Sequence, residues 1–190
     1  MRKLILRMLT SMDGFIADPK GDLRFGPHWS EDLQTYYADA FAEAGGLVFG
    51  RTVYEKYVPY WTGVADAGRH PSGPATAAEV RYATSVRDLP KYAVSTGLPD
   101  PAGNTTVLRE DPAARIADLK REKGGDLLLM CGPSLLATLA DHIDAYLLDV
   151  YPIALGQGTH LWRDLPEPRE LHLAASRRFP GDVLVNTYTS

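Results

Sequence analysis

Two short apolar segments, each followed by glycine and a helix-start signal, constrain the fold of this chain most. The first covers residues 47–49 and ends at Gly50, and the second covers residues 127–130 and precedes Cys131 and Gly132. Short apolar runs of this kind are typical of buried strands. A helix N-terminus offers free N–H groups and a positive partial charge, so two such joints near one sheet edge suit a phosphate-bearing ligand. The pattern therefore indicates an enzyme with a nucleotide-type cofactor.

The order of the remaining elements predicts an α/β fold. Strand and helix patterns alternate as far as residue 152, and two strand segments, 171–179 and 183–189, then flank a turn. We expect a three-layer α/β/α fold whose mixed sheet is mostly parallel, with an antiparallel C-terminal edge. Residues 57–74, rich in glycine, proline and aromatic residues, are predicted to form a long loop. No linker divides the chain, so residues 1–190 are expected to form one domain.

Composition argues against several classes of partner. The 190 residues include 24 acidic and 20 basic side chains without a basic stripe, so nucleic acid is not expected as a partner. Cys131 is the one cysteine, which fits a reducing cytoplasm. No apolar run approaches about 18 residues, so the sequence predicts no membrane span. The five histidines lack metal-ligand spacing, and no metal site is expected.

Five segments resemble, in the same order, the dihydrofolate reductase-like superfamily. Within it, the chain is most similar to bacterial stand-alone proteins related to the reductase domain of riboflavin biosynthesis. This resemblance implies the superfamily's fold, NADPH as the cofactor, a small-molecule substrate and a plausible homodimer. The segments that carry it are residues 11–17, 49–55, 90–96, 131–135 and 144–158.

The resemblance also implies where NADPH binds. The glycine–arginine joint would bind cofactor phosphates, the serine–threonine pair would reach the adenosine 2′-phosphate, and the second glycine joint would contact pyrophosphate and nicotinamide. In family members the second joint carries a cis peptide, which here would be the bond between Cys131 and Gly132. The implied cofactor residues are Gly50, Arg51, Thr52, Ser95, Thr96, Cys131, Gly132, Pro133 and Ser134.

Two positions depart from the family pattern. Val53 stands where members usually have threonine, with Thr52 one residue earlier, and Cys131 replaces the first glycine of the glycine pair. Because a Cβ restricts the backbone, the second departure affects the joint directly. Thr52 and Glu55 have the spacing of a capping box, which predicts a helix start at Thr52.

Asp13 and Asp32 are the candidate catalytic residues. Asp13 lies in a turn, where aspartate is common, and the alternative functional interpretation places it beside the nicotinamide. Asp32 is an ordinary acid of a first helical turn, but in folate reductases an acid on this helix holds the ring nitrogens of the substrate. Either carboxyl group, or a water that it holds, could supply the proton that a reduction needs.

The sequence therefore predicts an NADPH-dependent reductase that passes hydride to a C=N or C=O carbon of a small pterin- or pyrimidine-like substrate. Two alternatives stay open at this point. One is reduction of a ribosylaminopyrimidine or of dihydrofolate itself. The other is a non-catalytic module that binds a nucleotide, which the departures at Val53 and Cys131 favour slightly.

Overall fold

A computed structural model describes residues 1–22, 25–101 and 103–190, and every structural statement below concerns these residues. The strands are β1 (Leu4–Ser11), β2 (Phe15–Ala17), β3 (Gly46–Gly50), β4 (Arg69–His70), β5 (Gly73–Pro74), β6 (Lys91–Val94), β7 (Thr105–Leu108), β8 (Leu127–Met130), β9 (Ala145–Tyr151), β10 (Thr159–His160), β11 (His172–Arg178) and β12 (Leu184–Thr189). The α-helices are α1 (Glu31–Ala42), α2 (Arg51–Ala67), α3 (Ala77–Asp88), α4 (Pro112–Arg121) and α5 (Pro133–Leu139). Short 3₁₀ helices cover Gly26–His28 and Ala140–His142.

The main sheet has the strand order β11-β12-β9-β1-β8-β3-β6-β7 within the described residues. The six strands from β9 to β7 run parallel, whereas β12 is antiparallel to β9 and β11 is antiparallel to β12. Helices cover both faces, with α1, α2 and α3 packed side by side on one of them. The predicted three-layer α/β/α fold with an antiparallel C-terminal edge is confirmed. All six parallel strands present their carboxyl ends at one edge of the sheet.

The predicted loop over residues 57–74 is wrong, because α2 continues to Ala67 with Pro59 inside it. Tertiary packing outweighs the local signals here. The ring of Trp61 lies edge-on to Tyr82 of α3, with centroids 4.7 Å apart, and Tyr57 contacts Phe49 of β3 at 5.7 Å. The helix ends at Gly68, whose φ of +67° is the left-handed conformation that glycine adopts without strain.

Helix α1 begins as the sequence predicts. The Ser30 hydroxyl oxygen accepts a hydrogen bond from the Leu33 N–H at 3.4 Å, which caps the first turn. Leu33, Tyr37 and Phe41 are buried against the sheet at helical spacing. Because α1 leads directly into β3, which runs parallel to its neighbours, α1 begins near the carboxyl edge of the sheet.

Candidate functional site

The structure brings the two glycine joints together. Strands β3 and β8 are parallel neighbours, with Phe49 paired to Met130. The two connections that follow these strands therefore leave the sheet side by side. A Cβ built on Gly50 would lie 3.7 Å from the Cβ of Cys131 and 3.6 Å from Leu135 of α5. These separations are ordinary van der Waals contacts. The two strand-to-helix connections thus form one continuous surface at the carboxyl edge of the sheet.

Both helices at this surface begin without a capping side chain. The N-cap of α2 is Gly50 and that of α5 is Gly132, and neither residue has a side chain that could accept from the first-turn N–H groups. Such N–H groups need a partner from water or from an anion. Pro133, the first residue of α5, removes one of these donors.

Arg51, the first residue of α2, lies beside the turn that follows β6. Its Nε donates to Glu55 Oε1 at 2.9 Å, and its Nη1 lies 3.2 Å from where a Cβ on Gly97 would be. The side chain of Arg51 is 51% exposed, so it can reach an anion from solvent. The structure therefore places Arg51 beside the turn that contains Ser95 and Thr96, as a shared phosphate site requires.

The two hydroxyl residues of that turn are in different situations. The Ser95 hydroxyl oxygen accepts from the N–H groups of Gly97 at 3.2 Å and Leu98 at 3.1 Å, so it stabilises the turn itself. Thr96 is exposed. Of the predicted pair, Thr96 has the more accessible hydroxyl group.

The predicted capping box at Thr52 and Glu55 is wrong. The helix begins one residue earlier, at Arg51, so Thr52 already has helical backbone and cannot act as N-cap. Glu55 instead accepts from Arg51, an i,i+4 pair on the helix surface. Thr52 is exposed beside Arg51 and stays a proposed phosphate contact.

The peptide bond between Cys131 and Gly132 is trans, which corrects the cis bond that the resemblance implied. Gly132 has extended backbone, with φ −81° and ψ 176°, and this N-cap geometry starts α5 with the ordinary trans peptide. A Cβ on Gly132 would meet no heavy atom of the described residues within 4 Å. Burial raises the pKa of the Cys131 thiol to about 12, so the thiol stays protonated and packs as an apolar group.

The side chain of Ser134 forms a hydrogen bond with an aspartate. Its hydroxyl donates to Asp164 Oδ2 at 2.7 Å. The pKa of Asp164 is lowered to about 2, first by hydrogen bonds from Arg163 and then by the one from Ser134. The Asp164 carboxylate therefore lies at the start of α5, where the resemblance implies a cofactor phosphate. The sequence did not indicate this contact, because Ser134 and Asp164 are 30 positions apart.

Asp13 acts as an anchor between two loops. Its carboxylate accepts from the Ser11 hydroxyl at 2.6 Å, from the Gly156 N–H at 2.7 Å and from the Leu155 N–H at 3.1 Å. The hydrogen bond from Ser11, followed by that from Gly156, lowers the pKa of Asp13 to about 2. A carboxyl group that is ionised throughout the neutral range cannot donate a proton, so this geometry favours the structural interpretation of Asp13.

Asp32 points to solvent, and Gln34 takes the inward position. Asp32 is exposed in the first turn of α1, whereas Gln34 is 7% exposed. The Gln34 amide donates to the Trp29 carbonyl at 3.1 Å and accepts from the Thr76 hydroxyl at 2.7 Å. The helical spacing from Ser30 through Leu33 could have identified position 34 as the polar residue that faces inward.

Sequence reasoning also missed a buried ionic cluster. Arg7 of β1 lies 3.6 Å from Asp149 of β9, and Tyr37 of α1 donates its hydroxyl to the same carboxylate. The one local signal is the arginine that interrupts the apolar strand β1. Its partners are 142 residues downstream in β9 and 30 residues downstream in α1, and only the fold joins them.

Two further findings concern the described part of the chain as a whole. None of its helices is long and apolar enough to cross a membrane. Across the same residues, no three histidine, cysteine, aspartate or glutamate side chains gather in a group that could hold a metal ion.

Comparison with known proteins gives one family and a consistent fold. A model of the RibD C-terminal domain family matches residues 2–185. The uncharacterized protein YwjB of Bacillus subtilis is 26% identical over 185 residues, which cover 94% of this chain and 92% of YwjB.

Solved structures agree with this result. A putative riboflavin biosynthesis protein from Shewanella sp. PV-4 superposes with a TM-score of 0.73 at 20% identity, covering 100% of this chain and 98% of the other. Dihydrofolate reductase from Enterococcus faecalis, solved with NADP(H), superposes with a TM-score of 0.60 at 13% identity, covering 98% and 95%. The fold is thus dihydrofolate reductase-like.

Proposed function

Because this chain belongs to the RibD C-terminal domain family, we propose that it is an NADPH-dependent reductase acting on a small pterin- or pyrimidine-like substrate. The observation that carries the proposal is the contact between the joints at Gly50 and Cys131. That contact brings two helix N-termini without side-chain caps, together with the Arg51 guanidinium, to one sheet edge. Such an edge has the donors and the positive charge that a dinucleotide's phosphates require.

The residues present fit NADPH at that edge. Gly132 has free space where a side chain would stand, so the backbone can approach a cofactor closely. Arg51 would hold phosphate by charge-assisted hydrogen bonds, with Thr52, Ser95 and Thr96 nearby. When bound, the cofactor supplies hydride for a C=N or C=O carbon, and the protein's part is orientation and electrostatics.

Asp13 and Asp32 have different places in this proposal. Asp13 holds the loop at residues 155–156 against the end of β1, so we assign it a positioning role. Asp32, exposed at the start of α1, would act on the substrate directly or through a water that it holds. The proton that balances hydride transfer then comes from Asp32 or from solvent.

Titration calorimetry with NADPH and NADH tests the cofactor part of this proposal. We expect saturable binding with a clear preference for NADPH, because Arg51 and Thr96 can interact with the extra phosphate. Equal affinity for both nucleotides, or none for either, contradicts it. Following the absorbance of reduced nicotinamide across a panel of pterins, pyrimidines and small imines or ketones then tests for turnover.

The departures at Val53 and Cys131 favour a second candidate function. Val53 stands where the family usually has threonine, and Cys131 replaces the first glycine of the second joint. These departures suit a module that binds a nucleotide without reducing a substrate. NADPH binding without oxidation by any member of the substrate panel would support this candidate over the reductase.

A further inference from the structure

Two arginines flank the turn that follows β6. Strand β6 lies between β3 and β7 in the sheet, so the residues that follow β3 and β7 lie on opposite sides of this turn. Arg51 follows β3, and its Nη1 lies 3.2 Å from where a Cβ on Gly97 would be. Arg109 follows β7, and its Nη1 donates to the Leu98 carbonyl oxygen at 2.7 Å. The two guanidinium groups therefore lie beside consecutive residues of one turn.

The backbone of β7 determines where Arg109 lies. Leu108, the last residue of this strand, pairs with Val94, the last residue of β6. The Ser95 N–H donates to the Leu108 carbonyl oxygen at 3.1 Å, which joins the start of the turn to the end of β7. Arg109 thus leaves the sheet at the carboxyl edge, beside the turn that exposes Thr96.

The guanidinium of Arg109 has N–H groups left for a ligand. Its Nη2 donates to Asp100 Oδ1 at 2.6 Å and its Nη1 to Leu98, which leaves the Nε N–H and the second N–H of each Nη atom. The Asp100 side chain is 85% exposed and that of Arg109 is 39% exposed. Exposed ion pairs contribute only about 0.2–1 kcal/mol, so an anion of higher charge can displace the Asp100 carboxylate.

The charge of a phosphate monoester exceeds what Arg51 alone supplies. Such a group carries about −1.5 to −2 charges at pH 7. Arg51 is a single cation, and its Nε is already paired with Glu55 Oε1 at 2.9 Å. Arg109 brings a second cation to the same turn, and its planar guanidinium can donate two parallel hydrogen bonds to phosphate oxygens.

We propose that Arg109 is a second arginine for the 2′-phosphate of NADPH and contributes to a preference for NADPH over NADH. The phosphate replaces Asp100 as the partner of Nη2, while the bond from Nη1 to Leu98 continues to hold the turn. Arg109 lies outside the five segments that carry the family resemblance, so its assignment depends on its position in the structure. The inference rests on the proposed function and adds a residue that distinguishes the two nucleotides.

The first test measures NADPH and NADH binding to the wild-type protein and to Arg109→Ala by calorimetry. We expect Arg109→Ala to weaken NADPH binding about tenfold, because a charge-assisted hydrogen bond is lost, and to change NADH affinity less than about twofold. Arg178→Ala removes another exposed, paired arginine, at the far end of the sheet, and causes the same change in net charge. This matched control should leave both affinities unchanged.

A second substitution tests the exchange of partners. Asp100→Asn keeps the shape of the side chain and removes the charge that competes with phosphate, so NADPH affinity should rise about threefold and NADH affinity should stay the same. In the double variant Asp100→Asn/Arg109→Ala the gain should disappear, because it depends on the guanidinium.

Phosphorus NMR observes the phosphate directly. A phosphate between two guanidinium groups keeps its second charge to a lower pH than the free group, so the bound 2′-phosphate should titrate below about pH 6. In Arg109→Ala this midpoint should move about half a pH unit towards that of free NADPH.

Two results would overturn the inference. Equal losses of NADPH and NADH affinity in Arg109→Ala would mean that the side chain only holds the turn. An unchanged preference for NADPH, with an unchanged midpoint of the 2′-phosphate, would mean that Arg109 does not contact this group. Either result removes only this inference, whereas the absence of binding of both nucleotides to the wild-type protein removes the proposed function with it.

Discussion

Gly50 and Cys131 face each other across the ends of two parallel strands, so that a Cβ on Gly50 would lie 3.7 Å from that of Cys131. This distance joins two segments that are 81 residues apart and makes one surface of two helix starts. The contact is close but not crowded. A methyl group at position 50 therefore fits the protein in ordinary van der Waals contact with Cys131 and Leu135.

Arg51→Ala should weaken NADPH binding by about 1.5–3 kcal/mol, because a charge-assisted hydrogen bond to phosphate is lost. The fold should be unaffected, since the exposed pair with Glu55 contributes only about 0.3–0.5 kcal/mol. Calorimetry gives the affinity and thermal melting the stability. Arg81→Ala removes another exposed, paired arginine and is the matched control. Unchanged affinity in Arg51→Ala would make this arginine a plain surface residue.

Asp164→Asn should strengthen NADPH binding by about threefold. The substitution removes a negative charge from the start of α5, where such a charge competes with phosphate. With a pKa of about 2, the wild-type carboxylate is ionised throughout the neutral range, so this group adds no pH dependence between about pH 5 and pH 8. Affinities measured across that range check both statements. Weaker binding in Asp164→Asn would mean that the bond to Ser134 organises the site.

Gly132→Val should fold and lose NADPH binding. Extended backbone suits any residue, and a Cβ at position 132 meets no described atom within 4 Å, so the apo protein has room for it. The branched side chain would fill the space in which we place the cofactor. Circular dichroism checks the fold and calorimetry the binding. Gly26→Val, another glycine with open space around its Cβ, serves as control, and normal NADPH binding by Gly132→Val would move the cofactor elsewhere.

Asp13→Asn should lower the melting temperature at pH 7, because the variant loses the carboxylate that accepts hydrogen bonds from three donors. The folded-state pKa of about 2 lies below the ordinary value of 3.8, so the carboxylate stabilises the protein above about pH 4. That contribution is lost as the pH falls through about 2. The difference in melting temperature between wild type and variant should therefore shrink from pH 4 to pH 2. A difference that stays constant over this range would contradict the anchor role.

Arg7→Met should destabilise the protein by about 3–5 kcal/mol, because it leaves Asp149 buried without its counter-charge. The double variant Arg7→Met/Asp149→Leu removes both charges and should recover much of that loss. Denaturant unfolding of the two variants, with Asp149→Leu completing the cycle, gives the coupling free energy. Additive effects would mean that the two side chains do not interact.

The sequence by itself determined most of the elements and their order. The apolar runs at residues 47–49 and 127–130, the cap at Ser30 and the C-terminal hairpin depend on neighbours within a few positions, so local physics suffices to predict them. The parallel order then brought the two glycine joints to one edge. These features also carried the family resemblance.

Tertiary structure alone decided which partners the buried polar side chains have. Helical spacing is enough to turn Gln34 inward, but its hydrogen bond from Thr76 exists only because α1 packs beside α3. Residues 57–67 became helix because Trp61 packs on Tyr82, which outweighs the local effect of Pro59. The pairs Ser134–Asp164 and Arg7–Asp149 join residues far apart in the chain, and their energies depend on distance and burial. A sequence pattern contains neither quantity.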